Sequence, residues 1–263
     1  MSIKHKEVAA SAARWQRCQT DDLPRAFYAF DASGTKAQTE RVASYRFGRG
    51  EANRLLRAAK GTSGFQFVVH LGLDKTDLSG SVATAPAFQL YLQVLSADTG
   101  WQQGCEVGTW VKDGKFSAGN SVVTASSLNA MPAAGAYLFV YSWLETSQAE
   151  LAQPFTATTR VTGERIQAYT FSKVESESIY LDMLAGKKGR KRGVESHVDV
   201  HLGNGVAIWA HPFSFRPVLE VSGAITQDGN RSFQRDASGL SDTEGASFYD
   251  YSLPTPPGPP RYV

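Results

Sequence analysis

The sharpest chemical pattern in this chain is a run of alternating ionisable residues in its second half. His197, Asp199 and His201 stand two residues apart from one another. On a β-strand, side chains at this spacing point to the same face. Two imidazoles and a carboxylate suit a divalent metal such as Zn²⁺. The pattern therefore indicates a metal site, and a metal-dependent enzyme is one hypothesis for the function.

A related stretch upstream argues against the metal site. The residues that align with the pattern there are Gln66, Val68 and His70, and these could not hold a metal ion. A packing or hydrogen-bonding role at a strand end explains the two shared histidines, His70 and His201, more simply. We therefore predict no metal, no cofactor and no catalytic residue.

The most hydrophobic segment, residues 136–145 (AYLFVYSWLE), predicts a buried strand. Alternate positions form an aromatic face, made of Tyr137, Phe139, Tyr141 and Trp143. Such a face suits a core, a subunit interface or a sugar-stacking platform. Because Leu138, Val140 and Leu144 make the opposite face apolar too, a core or an interface is favoured. A module that binds carbohydrate or another small molecule is the runner-up.

The only cluster of basic residues is GKKGRKR, residues 186–192. It contains Lys187, Lys188 and Arg190, which we predict as interface candidates. A basic loop can contact phosphates non-specifically, but no aromatic residue is interleaved for base stacking. We therefore expect a solvated loop, or a contact with an acidic patch on a neighbouring subunit, rather than a nucleic-acid site.

Other motifs carry no chemistry. Gly48 and Gly50 before a predicted helix suggest a phosphate loop, but the third glycine and the following Lys-Ser/Thr are missing. Cys18 and Cys105 form neither a disulfide framework nor a metal pattern, so we expect two reduced thiols. The net charge of +2 is too small to imply a nucleic-acid or membrane partner by its field alone.

The elements that must position these residues occur twice. The aligned pairs are Tyr45 and Tyr169, Phe47 and Phe171, Glu51 and Glu175, Leu55 and Ile179, Ala59 and Met183, His70 and His201, and Phe88 and Phe215. Each copy predicts a strand, a helix and two further strands. The helix of copy one has apolar residues at helical spacing, and Ser172 with Glu175 has the form of a capping box at the start of the other.

We predict an α+β fold of mostly antiparallel sheet, with an N-terminal helix over about residues 4–18 and one helix per repeat. Two pseudo-equivalent halves are expected to pack through the strand at 137–143. The predicted divisions are a helical segment at 1–24, half one at 25–148, half two at 149–245 and a proline-rich extended tail at 246–263. Tyr249, Tyr251 and Pro256 of this tail are further interface candidates.

The aromatic-x-Phe strand end, the leucine-rich helix and the stretch Val-His-Leu-Gly-x-Asp, followed at the C-terminus by Tyr-Asp and prolines, resemble a loose group of small uncharacterised proteins from Bacteroidota. Those proteins carry one such unit, and the resemblance covers about half of this chain. It implies no activity and supplies no catalytic residues.

The prediction for function is a non-enzymatic structural protein that assembles with copies of itself. No active-site pattern survives the comparison of the two copies, and a duplicated unit offers two similar surfaces for regular contacts. No run of residues is apolar enough for a membrane span, and the N-terminus lacks the apolar core of a signal peptide. We therefore expect a cytoplasmic protein.

Overall fold

A computed structural model of the chain describes residues 5–30, 36–75, 86–96, 102–111, 131, 133–156, 165–188, 197–205, 213–222, 246–249 and 253–255. Over these residues the fold is α+β, as predicted. Four α-helices accompany twelve strands, all of whose pairings are antiparallel. No helix in the described part of the chain is both long and apolar enough to cross a membrane.

The helices lie where apolar residues recur at helical spacing. They are α1 (His5–Arg17), α2 (Arg49–Lys60), α3 (Ala133–Glu145) and α4 (Lys173–Lys188). The first, second and fourth confirm the predicted helices. At the start of α4 the predicted capping box is present, because the Glu175 backbone N–H donates to Ser172 Oγ (3.2 Å) and the Ser172 N–H donates to Glu175 Oε2 (3.0 Å).

The strands are two to nine residues long. In chain order they are β1 (Tyr28–Phe30), β2 (Lys36–Arg41), β3 (Ser44–Phe47), β4 (Phe65–Leu73), β5 (Phe88–Ser96), β6 (Gln102–Val107), β7 (Thr109–Trp110), β8 (Ala168–Thr170), β9 (Val198–Asn204), β10 (Phe215–Ser222), β11 (Ala246–Tyr249) and β12 (Leu253–Thr255). The order strand, helix, strand, strand occurs at β3-α2-β4-β5 and again at β8-α4-β9-β10, as predicted for each copy.

Two five-stranded sheets organise the molecule. Sheet I has the order β11-β10-β9-β3-β7, and sheet II has the order β12-β8-β4-β5-β6. A separate two-stranded ribbon pairs β1 with β2. Each large sheet therefore mixes strands from the two ends of the chain, since β3 joins sheet I and β8 joins sheet II.

One apolar core receives side chains from both sheets. Phe67, Val69 and Leu71 of β4 and Val198 and Val200 of β9 point into it, together with apolar residues of α2 and α4. The alternate residues of the same strands point to the opposite, outer face of each sheet. Helix α1 contacts β4, and α3 contacts β9.

The strand predicted over 136–145 is wrong, because these residues form α3. Ala136, Val140 and Trp143, at helical spacing, are buried, whereas Tyr137, Leu138 and Tyr141 are exposed. A short run that is apolar at almost every position matches both periodicities, so the pattern cannot separate a strand from a helix. The predicted contact between halves through a strand at 137–143 fails for the same reason.

The segment predicted as an extended tail contributes to both sheets. Strand β11 pairs with β10 at the edge of sheet I, and β12 pairs with β8 at the edge of sheet II. Tyr249 is buried in the core, and its hydroxyl donates to Asp182 Oδ2 (2.6 Å). Pro254 pairs with Tyr169 on an edge strand, where the missing N–H of proline is tolerated.

Candidate functional site

A row of ionisable side chains crosses the outer face of sheet I. Asp199 and His201 lie on β9, Glu220 on β10 and Arg46 on β3, with His197 just before β9. The predicted grouping of His197, Asp199 and His201 on one face holds for β9, since the alternate residues Val198 and Val200 point into the core. The tertiary structure adds Arg46 and Glu220 from the two neighbouring strands.

Asp199 is held by an ion pair with Arg46. The Arg46 guanidinium donates from Nε to Asp199 Oδ1 (2.8 Å) and from Nη2 to Oδ2 (2.7 Å), and His197 Nε2 lies 3.5 Å from Oδ2. Burial raises the pKa of the Asp199 carboxyl, but hydrogen bonds from Arg46 and His197 and their charges outweigh burial and lower the pKa to about 2. Asp199 is therefore ionised at neutral pH.

His201 and Glu220 form the second contact of the row. His201 Nε2 lies 2.7 Å from Glu220 Oε2, and the histidine is buried. On the outer face of sheet II, His70 Nε2 lies 2.6 Å from Gln93 Oε1. Both histidines thus hydrogen-bond to the next strand of their sheet, as predicted, but they lie within β4 and β9 rather than at a strand end.

The row is better described as a network of ion pairs than as a metal centre. The ligand atoms of Asp199, His201 and Glu220 lie within 4.8 Å of one another, which is close enough to surround a cation. However, both Asp199 oxygens already accept hydrogen bonds from Arg46, and a guanidinium at this distance repels a cation. The metal-dependent enzyme stays a hypothesis that this geometry disfavours.

The outer face of α3 is an exposed apolar surface. Its large side chains are Tyr137 (42% exposed), Leu138 (63%), Tyr141 (49%) and Leu144 (42%). The Tyr137 and Tyr141 rings stack on each other with centroids 5.8 Å apart. The opposite side of the helix is tied to the fold, since the Trp143 indole N–H donates to the Val42 carbonyl (2.9 Å). We call the four exposed side chains the α3 face.

The predicted aromatic face is therefore divided. Tyr137 and Tyr141 belong to the α3 face, Phe139 is partly buried against Met131, Ala136 and Val218, and Trp143 is fully buried in the core. Tyr249 also lies in the core. Lys187 and Lys188 lie in the last turn of α4, whereas Arg190, Tyr251 and Pro256 lie outside the described residues.

Neither cysteine has the surroundings of a catalytic thiolate. Both are free thiols. Burial, with a smaller contribution from Glu106, raises the pKa of Cys105 to about 12, so its thiol is protonated at neutral pH. Burial also raises the pKa of Cys18.

Sequence reasoning missed Arg46, Glu220, Leu138 and Leu144 as site residues. Glu220 stands where the other copy has Gln93, so the alignment of the copies held a signal for it. The sequence held no signal for Arg46, because its contact with Asp199 depends on β3 pairing with a strand more than 150 residues away along the chain. The sequence pattern placed Leu138 and Leu144 on the second apolar face of a strand that was predicted to be buried.

Comparisons with known proteins do not add a function. No protein-family model, no curated protein and no solved structure matches the chain. The resemblance to single-unit proteins of Bacteroidota stays a prediction.

Proposed function

We propose that the protein is a non-enzymatic structural protein that assembles with copies of itself through the α3 face. The observation that carries the proposal is the exposure of Tyr137, Leu138, Tyr141 and Leu144 on one side of a single helix. Burying such side chains against a partner releases them from water, which favours association.

A comparison with α1 supports this role for α3. Both helices lie on the central strand of a large sheet, α1 on β4 and α3 on β9. Yet α1 turns charged or small residues to solvent, among them Lys6, Glu7, Ala10 and Arg17. A helix in this position is therefore compatible with a polar exterior, and the fold by itself does not require an apolar one on α3.

The shape and charge of the α3 face favour a second copy of the chain over a small ligand. Sites for small molecules are concave, whereas one side of a helix is convex and packs well against another helix. The four side chains carry no charge, and the only charged residue of α3 is Glu145 at its end. Two copies of this face can therefore meet without like-charge repulsion.

The size of the patch predicts a moderate affinity. Four partly exposed side chains offer roughly a few hundred Å², which is less than the roughly 800 Å² that one partner contributes to a standard interface. We therefore expect association that depends on protein concentration, or that is strengthened by further contacts around α3.

The test is the mass of the purified full-length protein by light scattering over a range of concentrations, with negative-stain electron microscopy of the same sample. We expect masses above the 28.5 kDa of one chain, and a return to one chain in the variant Leu138→Glu/Tyr141→Glu, because two buried carboxylates oppose the contact. Circular dichroism checks that the variant is folded.

The matched control places the same charges on α1. The variant Ala10→Glu/Ala13→Glu changes the outward side of that helix and should assemble like the wild type. A wild-type protein that stays at 28.5 kDa at high concentration, or an α3 variant that assembles unchanged, would contradict the proposal. In the first case, carbohydrate binding by the exposed Tyr137 and Tyr141 rings becomes the better candidate, and glycan arrays test it.

A further inference from the structure

We infer that the chain is a pair of equivalent units that exchange strands, joined in one polypeptide, and that the Arg46–Asp199 ion pair specifies the pairing of unit one with unit two. This inference rests on contacts inside the chain and is independent of the α3 face. The first unit runs from α1 to β7, and the second runs from α3 to β12.

The two sheets have the same order once the units are interchanged. Replacing β3, β4, β5, β6 and β7 with β8, β9, β10, β11 and β12, and the reverse, converts the order of sheet II into that of sheet I. In each sheet, three strands come from one unit and the remaining two come from the other. The pairing of β3 with β9 therefore corresponds to the pairing of β8 with β4. We call these two pairings between the units the β3–β9 crossing and the β8–β4 crossing.

The residue pairs at the two crossings correspond as well. The β3–β9 crossing pairs Ser44 with His201, Tyr45 with Val200 and Arg46 with Asp199. The β8–β4 crossing pairs Ala168 with His70, Tyr169 with Val69 and Thr170 with Val68. Each residue of one crossing therefore has its counterpart in the other crossing, and the counterparts are those of the alignment between the two copies.

Side-chain hydrogen bonds repeat in the same way. The Trp15 indole donates to Ile166 O (2.6 Å) and the Trp143 indole donates to Val42 O (2.9 Å). Arg165 Nη1 donates to Trp15 O (2.6 Å), and Arg41 Nη1 donates to Trp143 O (2.8 Å). The Tyr45 and Tyr169 hydroxyls donate to the carbonyls of Phe88 and Phe215 respectively. The indole and guanidinium bonds all join one unit to the other.

The rings at the centre of the core fit a twofold relation between the units. Phe27 and Phe155, each the last residue of a short 3-10 helix, stack with centroids 5.3 Å apart and planes 8° apart. Around them, Trp15 lies 5.1 Å from Phe155, and Trp143 lies 5.1 Å from Phe27. Such reciprocal contacts are those of an isologous interface.

The main difference between the crossings is one of charge. The β3–β9 crossing holds the ion pair of Arg46 with Asp199, where the β8–β4 crossing holds Thr170 with Val68. Pairing two copies of unit two would place Asp199 opposite Thr170, and a buried carboxylate without its cation is strongly disfavoured. The ion pair therefore acts against the wrong pairing as well as stabilising the right one.

The test transplants the charge pair from one crossing to the other in the full-length chain. In Val68→Asp, a carboxylate is buried without a cation, since Val68 is 2% exposed, and we expect the melting temperature to fall by on the order of 10 °C. In Val68→Asp/Thr170→Arg, the new guanidinium should reach the carboxylate as Arg46 reaches Asp199. We expect this second change to restore at least half of the loss.

Two control variants complete the experiment. Val68→Asp/Thr170→Gln adds a shorter polar side chain without a charge and should restore less than the change to arginine. Arg46→Thr/Asp199→Val copies the neutral pair into the β3–β9 crossing and should melt within a few degrees of the wild type. A Val68→Asp/Thr170→Arg protein no more stable than Val68→Asp alone, or a neutral copy that fails to fold, would overturn the equivalence of the crossings.

Discussion

At the scale of single residues, the outer face of sheet I shows how burial and pairing compete. Asp199 is almost fully buried, which disfavours its charged form, yet two hydrogen bonds from Arg46 keep it ionised. Arg46 itself is about half exposed, so the pair lies at the boundary between core and solvent. Its net contribution is accordingly that of a partly screened pair.

The Asp199 carboxyl predicts a loss of stability in acid. Its pKa of about 2 in the folded protein lies below the value of about 3.9 in an unfolded chain. The stabilisation is therefore complete above about pH 4 and is lost as the pH falls towards 2. The expected size is about 2 kcal/mol. Urea unfolding at pH 6 and at pH 2.5 measures it.

The variant Asp199→Asn isolates this group. It should be less stable than the wild type at pH 6, and the difference should shrink at pH 2.5, because there the carboxyl of the unfolded wild-type chain is almost fully protonated and that of the folded protein begins to bind a proton. Asp21→Asn, at an exposed position, should follow the wild type at both values. A difference between Asp199→Asn and the wild type that does not change with pH would contradict the low pKa.

At the scale of elements, glycines allow the outer helices to approach the sheets closely. A Cβ on Gly203 of β9 would lie 3.0 Å from Phe139 Cβ of α3 and 2.7 Å from the Arg216 carbonyl. A Cβ on Gly72 of β4 would collide with Ser11 Oγ of α1. The helix–sheet contact on each side of the molecule therefore depends on the absence of one side chain.

Gly203→Ala should destabilise the protein by about 1–3 kcal/mol, because neither the Arg216 backbone nor the base of Phe139 can move without shifting a strand or a helix. Equilibrium unfolding in urea measures the change. Gly50→Ala is the matched control. Its new Cβ meets only Arg54 Nη1, at 3.6 Å, on an exposed part of α2, so stability should be unchanged or higher. A Gly203→Ala protein as stable as the wild type would show that α3 does not lie this close to β9.

At the scale of the whole molecule, the proposed exchange of strands between two units would leave each unit incomplete by itself. Without the other unit, β4 or β9 would present an unpaired edge, and such edges attract a matching strand. In this chain, β8 pairs with that edge of β4. Because β3 is the equivalent of β8 in unit one, β3 of a second copy of unit one can pair with the same edge. A separated unit one should therefore pair with a second unit one.

Cleavage of the full-length chain tests this consequence. A protease recognition sequence inserted between residues 120 and 121 should allow cleavage while both pieces stay together. After separation in urea and refolding, the first piece should form a dimer, seen as twice its mass by light scattering. Because this piece lacks α3, the α3 face cannot cause that dimer. The second piece should pair its strands in this way only with Asp199→Val, which removes the unpaired carboxylate. The changes Leu138→Glu/Tyr141→Glu are included in this piece so that the α3 face cannot cause a dimer. Failure of both pieces to dimerise would contradict the expectation.

Local rules were sufficient for much of the architecture. Helix α4 follows from the capping box at Ser172 and Glu175 and from the match to α2, although Ile179, Leu181 and Met183 alternate as in a strand. The hydrogen-bonding role of His70 and His201 was predicted from their occurrence at aligned positions of the two proposed copies. These features depend on residues close together in the chain or on the alignment of the two copies.

The sequence by itself determined the α+β class, three of the four helices in the described part of the chain, and the two sets of strand, helix, strand and strand. Each of these depends on periodicity and on end signals from residues close together in the chain. Only the tertiary structure decided that 133–145 is a helix, since a segment apolar on all sides takes its conformation from what it packs against. It alone also decided that β3 pairs with β9 and β8 with β4, and hence that Arg46 meets Asp199. Pairing between distant strands depends on the fit of two whole surfaces, which no local pattern encodes.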